Sequence, residues 1–134
     1  MNSKSYGDIA ELAVAAKLAK LGYIVSRPLS DNAPYDLIID KNGTLQKVQV
    51  KARRTRRGRV YIEMYSSMTN YVRMYEKEDF DILAVYHIET GDIAFISRNE
   101  ITTKQLVLQV DNSKRFSKNS FNMKFFEDYS QGLL

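Results

Sequence analysis

APYDLIID at residues 33–40 and VQVK at residues 48–51 are the two segments that decide the fold of this chain. The first segment brings an acid, Asp36, to the start of an apolar run. The second alternates apolar and polar residues, and this period of two is typical of a β-strand. The dipeptide Asn42-Gly43 between them is a strong signal for a tight hairpin turn. The sequence therefore predicts a β-hairpin that places Asp36 beside the VQVK strand.

Within this hairpin, Gln49 and Lys51 share one face of their strand, because side chains two residues apart point to the same side. An acid, an amide and a lysine then lie in one small patch. A carboxylate binds a divalent cation through its oxygens, while a lysine stabilises an anion or orients a water. Hydrolysis of a phosphodiester requires this combination. The patch therefore indicates metal-assisted phosphodiester hydrolysis, and a sheet with an incidental surface lysine is the alternative.

A helix is expected before the hairpin, with Ser5 as its N-cap and Gly22 as the glycine that ends it. Glu11 lies inside this helix, and its neighbours at helical spacing include the small residues Gly7 and Ala15. An acid on such a stripe lies either at the edge of the core or in a functional site. The spacing alone leaves both interpretations open.

Pro34-x-Asp36 followed by Gln49-x-Lys51 resembles the active-site motif of the PD-(D/E)xK nuclease superfamily. Within that superfamily, the pattern is most similar to small group I intron homing endonucleases and to Holliday-junction-resolvase-like proteins. The chain departs from the motif twice: Tyr35 separates Pro34 from Asp36, and Gln49 stands where the family usually carries Asp or Glu. An amide oxygen still coordinates a hard cation, but it brings no charge.

The resemblance implies an α/β (α+β) fold of the restriction-endonuclease type, with a central mixed β-sheet flanked by helices. Residues 1–134 are expected to form a single domain, which also suits the length of the chain. The resemblance further implies a metal site that an acid on the first helix completes. Its ligands would be Glu11, Asp36, Gln49 and the backbone carbonyl of Val50. Lys51 joins Glu11, Asp36 and Gln49 as the fourth catalytic residue, and all-oxygen ligation favours Mg²⁺ or Mn²⁺ as the cofactor.

Later segments are expected to supply the remaining strands of the sheet. A first strand is predicted at 23–27, and later ones at 60–64, 81–88, 93–96 and 106–110, with a short helix at 98–104. Residues 65–75 receive no firm assignment. Tyr71 and Tyr75 are at helical spacing, which is compatible with one short helix or with an interface, and ordinary packing is favoured over base stacking.

The densest cluster of charge follows directly after Lys51, in RRTRRGR at residues 53–59. No acid lies within the run, and arginine guanidinium groups match phosphate oxygens bidentately. We therefore expect this loop to hold the nucleic-acid backbone without reading its sequence, and a solvated hairpin tip is the alternative. The arginines expected to bind DNA are Arg53, Arg54, Arg56, Arg57 and Arg59.

The composition excludes several other kinds of site. There is no cysteine, which excludes disulfides and thiolate metal sites, and the single histidine, His87, excludes multi-histidine metal sites. No apolar run is long enough to span a membrane, and the start of the chain shows no signal-peptide pattern. The net charge is +4. An intracellular protein, cytoplasmic or nucleoid-associated, with no membrane partner is expected.

The motif thus predicts a metal-dependent DNA endonuclease, and the substrate stays open. A Holliday-junction-resolving enzyme is slightly favoured, acting on four-way junctions through shape and phosphate contacts. The first alternative is a site-specific homing or restriction-type endonuclease that reads duplex DNA through base edges. Both would act as a homodimer or homotetramer, because cutting two strands needs two active sites. A catalytically silent DNA-binding protein is the further alternative, and Gln49 in place of an acid supports it.

Overall fold

The computed structural model describes residues 1–67, 71–117, 122–130 and 132. Within these residues, an α-helix, α1, spans Ser3–Lys20, and 3-10 turns span Arg98–Glu100, Asn112–Lys114 and Phe126–Tyr129. The strands in chain order are β1 Ile24–Ser26, β2 Leu37–Lys41, β3 Thr44–Arg53, β4 Arg59–Glu63, β5 Tyr65–Ser67, β6 Val72–Met74, β7 Ile82–His87, β8 Ile93–Ser97, β9 Gln105–Gln109 and β10 Lys124–Phe125.

A five-stranded sheet in the order β1-β2-β3-β7-β8 forms the centre of the molecule. Strands β3 and β7 run parallel, while the other neighbouring pairs in this sheet run antiparallel. A three-stranded sheet has the order β10-β9-β4, and β5 pairs with β6 in a separate two-stranded sheet. This arrangement confirms the predicted mixed α+β fold with a central mixed sheet.

Two apolar layers cover the two faces of the central sheet. Helix α1 packs on one face through Ala10, Val14 and Leu18, which recur every fourth residue and are fully buried. The three-stranded sheet covers part of the other face, where Leu83 and Val85 of β7 are buried with side chains of β4 and β9. In the part of the chain that the structure describes, the sheet is therefore covered by one α-helix on one side and by strands on the other.

The N-terminus of α1 differs from the expectation. Asn2, not Ser5, is the N-cap, and its Oδ1 accepts hydrogen bonds from the backbone N–H of Ser5 at 3.0 Å and from the Ser5 hydroxyl at 3.2 Å. The prediction of Ser5 as the cap is wrong because an amide one turn earlier already satisfies that N–H. The other end agrees with the prediction, since Gly22 follows the helix with a φ of +94°.

The hairpin of β2 and β3 confirms the role of its turn. Asn42 and Gly43 have φ values of 57° and 84°, as a type I′ turn requires. The Asp40 carboxylate accepts a hydrogen bond from the Gly43 N–H at 2.9 Å, so this acid serves the turn. The resulting register pairs Leu37 with Val48 and sets the position of the site residues.

Residues 65–67 and 71–75 are the described part of the unassigned segment, and they contain strands in place of the short helix allowed by the spacing of Tyr71 and Tyr75. Tyr65 pairs with Met74 across the β5–β6 hairpin. The predicted helix at 98–104 is also shorter than expected, because a single 3-10 turn ends at Glu100. Among the described residues, no helix combines the length and the apolar character needed to cross a membrane.

Candidate active site

Asp36 lies immediately before β2, and two backbone groups of β3 fix its position. Its own N–H donates to the Val48 carbonyl at 2.9 Å, and its Oδ2 accepts a hydrogen bond from the Val50 N–H at 2.8 Å. Because Leu37 pairs with Val48, Asp36 lies opposite Gln49 on the neighbouring strand. The tight Asn-Gly turn therefore places this acid beside the VQVK segment.

Burial raises the pKa of the Asp36 carboxyl above its ordinary value, despite the hydrogen bond from Val50 and the charges of Lys51 and Arg27, which act in the opposite direction. A carboxylate that is costly to ionise in isolation gains more than usual from a cation at close range. Asp36 is accordingly a group in this patch that a positive ion would stabilise.

Glu11 reaches the same region from α1. Its pKa is raised, first by burial and next by the charge of Asp36, so the two carboxyl groups interact electrostatically. Arg27 directly follows β1, and its Nη2 donates a hydrogen bond to Glu11 Oε1 at 3.0 Å. Glu11 and Arg27 line a cavity of about 350 Å³ together with Leu37, the first residue of β2. The structure thus brings the helix acid and the strand acid to one location and adds a cation that the sequence did not indicate.

Gln49 and the Val50 carbonyl, two expected metal ligands, contact each other. Gln49 is buried, and its Nε2 donates a long hydrogen bond of 3.4 Å to the Val50 oxygen. Both groups belong to β3, and in this arrangement the Gln49 amide acts as a donor. At 3.4 Å the bond is weak, and the carbonyl keeps a second lone pair for another partner.

Lys51 is half-buried on the same face of β3 as Gln49. Its Nζ lies 3.5 Å from the Tyr65 carbonyl oxygen, to which it donates, and 5.2 Å from the centre of the Tyr75 ring. Burial, followed by the charge of Arg53, lowers the pKa of Lys51, while Asp36 and Glu63 act to raise it. Lys51 therefore lies within electrostatic range of Asp36, and protein groups enclose its ammonium.

The donor set of this patch suits a hard divalent cation. Two carboxylates, an amide and a backbone carbonyl are oxygen-bearing groups, and Mg²⁺ is usually held by one or two carboxylates with water and substrate phosphates. Burial is the first cause of the raised pKa of both Asp36 and Glu11. A cation bound between these two acids would stabilise their ionised forms. No cluster of three or more His, Cys, Asp or Glu side chains suited to a metal occurs in the described residues. A metal here would therefore depend on few protein charges.

The arginine segment divides into a fixed part and an exposed part. Arg53 donates to the carbonyls of Ala52 and Tyr61 at 2.8 and 3.1 Å and pairs with Glu63 at 3.5 Å. These contacts join β3 to β4 and occupy its guanidinium group. Arg53 is thus placed as a link between the sheets, away from the exposed turn formed by the residues after it.

The exposed part is a tight turn with Arg57 and Gly58 at its tip. Their φ values are 55° and 75°, and the flanking residues Arg56 and Arg59 form a bridge. Arg56 stacks on the Tyr61 ring with its guanidinium carbon 4.5 Å from the ring centre. A Cβ at Gly58 would come within 3.2 Å of the Asp111 Cβ, so this glycine also allows close approach of the chain. The turn as a whole leaves Arg56 and Arg57 exposed to solvent.

Arg54 and Thr55 are anchored to the β7–β8 hairpin. Glu89 accepts a hydrogen bond from the Thr55 N–H at 2.6 Å and lies 3.6 Å from Arg54 Nη1. His87 is buried, with Nε2 at 2.5 Å from the Thr55 hydroxyl and Nδ1 at 2.8 Å from the Thr90 hydroxyl. This histidine therefore has a structural role, which is to hold the base of the arginine segment.

Sequence reasoning missed two residues that contact the proposed catalytic groups. Arg27 pairs with Glu11, and Tyr75 lies under the ammonium of Lys51. Arg27 was only the last residue of a predicted strand, and Tyr75 belonged to the unassigned segment. Neither carries a local signal, because each reaches the site through a contact between residues far apart in the chain.

Comparison with known proteins places these residues in a wider context. A protein-family model described as PD-(D/E)XK endonuclease matches residues 1–131. Protein 5.3 of Escherichia phage T7 is 32% identical over 105 residues, which are 73% of this chain and 82% of that protein. The solved structure of a bacterial homing endonuclease, I-Ssp6803I, has a TM-score of 0.77 and 27% identity, over 92% of this chain and 88% of the other. The family match includes every residue of the candidate site.

Proposed function

Since the chain belongs to the PD-(D/E)XK endonuclease family, we propose that it is a divalent-metal-dependent endonuclease that hydrolyses phosphodiester bonds in DNA. The observation that carries this proposal is the position of Asp36, which is hydrogen-bonded to Val50 and electrostatically coupled to both Glu11 and Lys51. An acid pair and a lysine in one enclosed patch are the groups that the reaction needs.

Glu11, Asp36, Gln49 and the Val50 carbonyl would hold Mg²⁺ or Mn²⁺. When bound, such an ion neutralises charge on the scissile phosphate and activates a water for attack. For Gln49 to serve as a ligand, its amide must present Oε1, which means giving up the 3.4 Å contact from Nε2 to Val50. That contact is long, so its loss costs little. The missing charge at Gln49 supports loose metal binding that tightens when a DNA phosphate adds a ligand.

Lys51 would act on the phosphate or on the attacking water. Its ammonium carries three donors, of which the Tyr65 carbonyl engages one at 3.5 Å. The remaining donors are available to stabilise the negative charge that develops on the phosphate oxygens, which is a large contribution in an enclosed site. Asp36, held by the Val50 N–H, fixes where this charge develops relative to Lys51.

The arginine turn would hold the DNA backbone beside this site. Because Arg53 is occupied by carbonyls and Glu63, we propose that the phosphate contacts come mainly from Arg56 and Arg57 at the tip, with Arg54 and Arg59 at its flanks. Such contacts position the duplex without reading bases. The turn follows Lys51 by a few residues in the chain, and in this proposal the DNA strand held by the turn would continue to the site.

For the substrate, the likeness to a bacterial homing endonuclease supports site-specific cleavage of duplex DNA. The sequence alone slightly favoured a junction-resolving enzyme, and that remains the second candidate because the domain is small and basic. Both candidates share the requirement for two active sites, since two strands are cut. We therefore propose a symmetric homodimer or homotetramer.

The proposal is tested by incubating the protein with supercoiled plasmid, linear duplex libraries and a synthetic four-way junction, with and without Mg²⁺. Discrete cuts in duplex DNA support the site-specific enzyme, and cleavage of the junction alone supports the resolvase. Lys51→Ala is the matched variant and should lower either activity by about 100-fold or more while leaving DNA binding intact. Binding with no cleavage in Mg²⁺ or Mn²⁺, unchanged by Lys51→Ala, would instead indicate a silent DNA-binding protein. Light scattering of the purified protein measures the number of subunits.

A further inference from the structure

The ammonium of Lys51 rests on the base of the β5–β6 hairpin. Its Nζ lies over the face of the Tyr75 ring, 5.2 Å from the centre, and donates to the carbonyl of Tyr65 at 3.5 Å. Tyr65 opens β5, and Tyr75 directly follows β6, so both groups belong to the same end of the hairpin. A lysine side chain has four rotatable bonds, and without these two contacts its ammonium would sample many positions.

We propose that Tyr75 is a positioning residue for the cleavage reaction: its ring face and the adjacent Tyr65 carbonyl hold the Lys51 ammonium where the scissile phosphate arrives. This inference rests on the proposed function, since it assigns a role in that reaction. A cation over an aromatic face is attracted by the negative charge of the ring's centre. Tyr75 acts through Lys51 and needs no contact with the DNA.

Tyr75 is itself held rigidly, as a positioning residue must be. It is 8% exposed and packs edge-on against Phe80 at 5.2 Å between ring centres. Its N–H donates to the Met64 carbonyl at 3.0 Å, and its own carbonyl accepts from Arg98 Nη2 at 3.4 Å. The ring therefore has little freedom to move away from Lys51.

An ion pair with a buried carboxylate fixes the segment on both sides of Tyr75. Arg73 donates to the two oxygens of Asp79 at 2.8 and 3.1 Å, and Asp79 also accepts from the Glu76 N–H at 2.8 Å. Asp79 is 5% exposed, so this bidentate pair is shielded from solvent on the carboxylate side. The loop from β6 to the next strand is thereby closed around Tyr75.

The placement of Tyr75 also relates it to Asp36. Burial raises the pKa of Tyr75, and the charge of Asp36 acts in the same direction. Burial lowers the pKa of Lys51, and the charge of Asp36 opposes that shift. Asp36 therefore lies within electrostatic range of both Lys51 and Tyr75. The other charges that act on Lys51 come from Arg53 of β3 and Glu63 of β4. Among these neighbours, Tyr75 is the one that offers Lys51 an apolar ring face, and that face sets the direction of the ammonium.

The test compares Tyr75→Phe, which keeps the ring, with Tyr75→Leu, which removes it. Under single-turnover conditions with the DNA substrate and Mg²⁺, Tyr75→Leu should slow cleavage by about 10-fold to 100-fold. Its affinity for DNA without metal should stay within about twofold of the original, because Tyr75 touches no phosphate. Tyr75→Phe should cleave within about twofold of the unsubstituted protein, since the ring face is retained.

A second measurement detects the contact between Lys51 and the Tyr75 ring without using enzymatic activity. In protein labelled with ¹³C-lysine, the ε-methylene signal of Lys51, assigned with Lys51→Arg, should show a ring-current shift that Tyr75→Leu removes and Tyr75→Phe keeps. Should Tyr75→Leu fail to fold, Tyr75→pentafluorophenylalanine replaces it. This side chain keeps the volume but reverses the charge distribution of the ring, and it should slow cleavage while Tyr75→Phe does not.

Normal cleavage by the variant that lacks the ring face would overturn the inference, and so would equal slowing in Tyr75→Phe. An unshifted Lys51 signal in the unsubstituted protein would overturn it as well. These results differ from a failure of the proposed function, in which the unsubstituted protein itself cuts none of the DNA substrates. In that case both the proposed cleavage reaction and the positioning role of Tyr75 are refuted.

Discussion

The Asp36 carboxylate accepts a 2.8 Å hydrogen bond from the backbone N–H of Val50. This bond crosses from the residue before β2 to the middle of β3 and fixes the acid against the segment that carries Gln49 and Lys51. Side-chain rotation alone cannot move Asp36 away from these groups without leaving a buried N–H unpaired. The relative placement of acid, amide and lysine is therefore a property of the hairpin register.

Asp36→Asn should abolish cleavage and raise the stability of the metal-free protein. Burial raises the pKa of Asp36, so the folded protein holds that proton more tightly than the unfolded chain. The stability gained from the protonated form is present below the unfolded pKa of about 4 and is lost as pH rises through the folded pKa. At pH 7 the amide removes this cost and still accepts from Val50. Thermal unfolding without divalent metal should show a higher Tm, and a lower Tm would contradict the assignment of burial as the dominant effect.

Arg27→Gln should move the acidic limb of metal binding to higher pH. Arg27 acts to lower the pKa of both Glu11 and Asp36, which burial raises, so its loss leaves both acids protonated over a wider pH range. Protons then compete with the cation up to a higher pH. Titration of Mn²⁺ binding by electron paramagnetic resonance between pH 5 and pH 8 measures this shift. Arg115→Gln, whose arginine pairs with Glu127 and Asp128, is a matched control and should leave the profile unchanged.

Lys51→Met should lower the rate of cleavage by about 100-fold to 1,000-fold, the usual effect of removing one charge-stabilising donor. DNA affinity should change little, because Lys51 is enclosed and the exposed arginines supply the phosphate contacts. The fold should tolerate the substitution, since methionine replaces the aliphatic stem of a half-buried lysine. Single-turnover rates and equilibrium binding separate the two effects. A variant that binds DNA weakly but cuts at the original rate once bound would place Lys51 in binding and not in chemistry.

The double substitution Arg56→Ala and Arg57→Ala should flatten the salt dependence of DNA binding. Each lost phosphate contact lowers the slope of log affinity against log salt by about 0.9, so the slope should fall by about 1.8. Lys20→Ala with Lys104→Ala removes the same charge from exposed positions outside the arginine turn and should leave the slope nearly unchanged. Equal effects of the two double substitutions would show that only net charge matters.

Arg53→Ala should instead destabilise the fold. The Arg53 guanidinium links β3 to the Tyr61 carbonyl and to Glu63, and its removal leaves these acceptors without their donor. We expect a loss of about 1–3 kcal/mol in the free energy of unfolding, measured by urea denaturation. A loss of DNA binding at unchanged stability would return Arg53 to the phosphate-binding set.

The local signals of the sequence were sufficient for the central hairpin. The Asn42-Gly43 turn has few alternative conformations, so it fixed the register that sets Asp36 beside Gln49 and Lys51. The alternation in VQVK likewise fixed which side chains face the site. The family resemblance rests on this same stretch, and the mixed sheet was expected because that resemblance implies it.

The β5–β6 hairpin and the role of Arg53 could not be predicted in this way, because both depend on contacts between residues far apart in the chain. Tyr71 and Tyr75 have helical spacing, yet Tyr65–Ser67 and Val72–Met74 pair as strands because tertiary packing overrides such weak periodicity. In the sequence Arg53 is part of a basic run, but in the structure it binds the Tyr61 carbonyl and the Glu63 carboxylate of β4. No pattern within either segment shows these partners.

The proposed cleavage reaction depends most on whether Glu11, Asp36, Gln49 and the Val50 carbonyl bind one metal ion. Diffraction from crystals soaked in Mn²⁺, recorded at a wavelength where manganese scatters anomalously, measures this directly. We predict an anomalous peak at about 2.0–2.3 Å from an Asp36 oxygen, and the same soak of Asp36→Asn crystals should lack it. A peak elsewhere, or no peak at Mn²⁺ concentrations that support cleavage, would contradict the central claim.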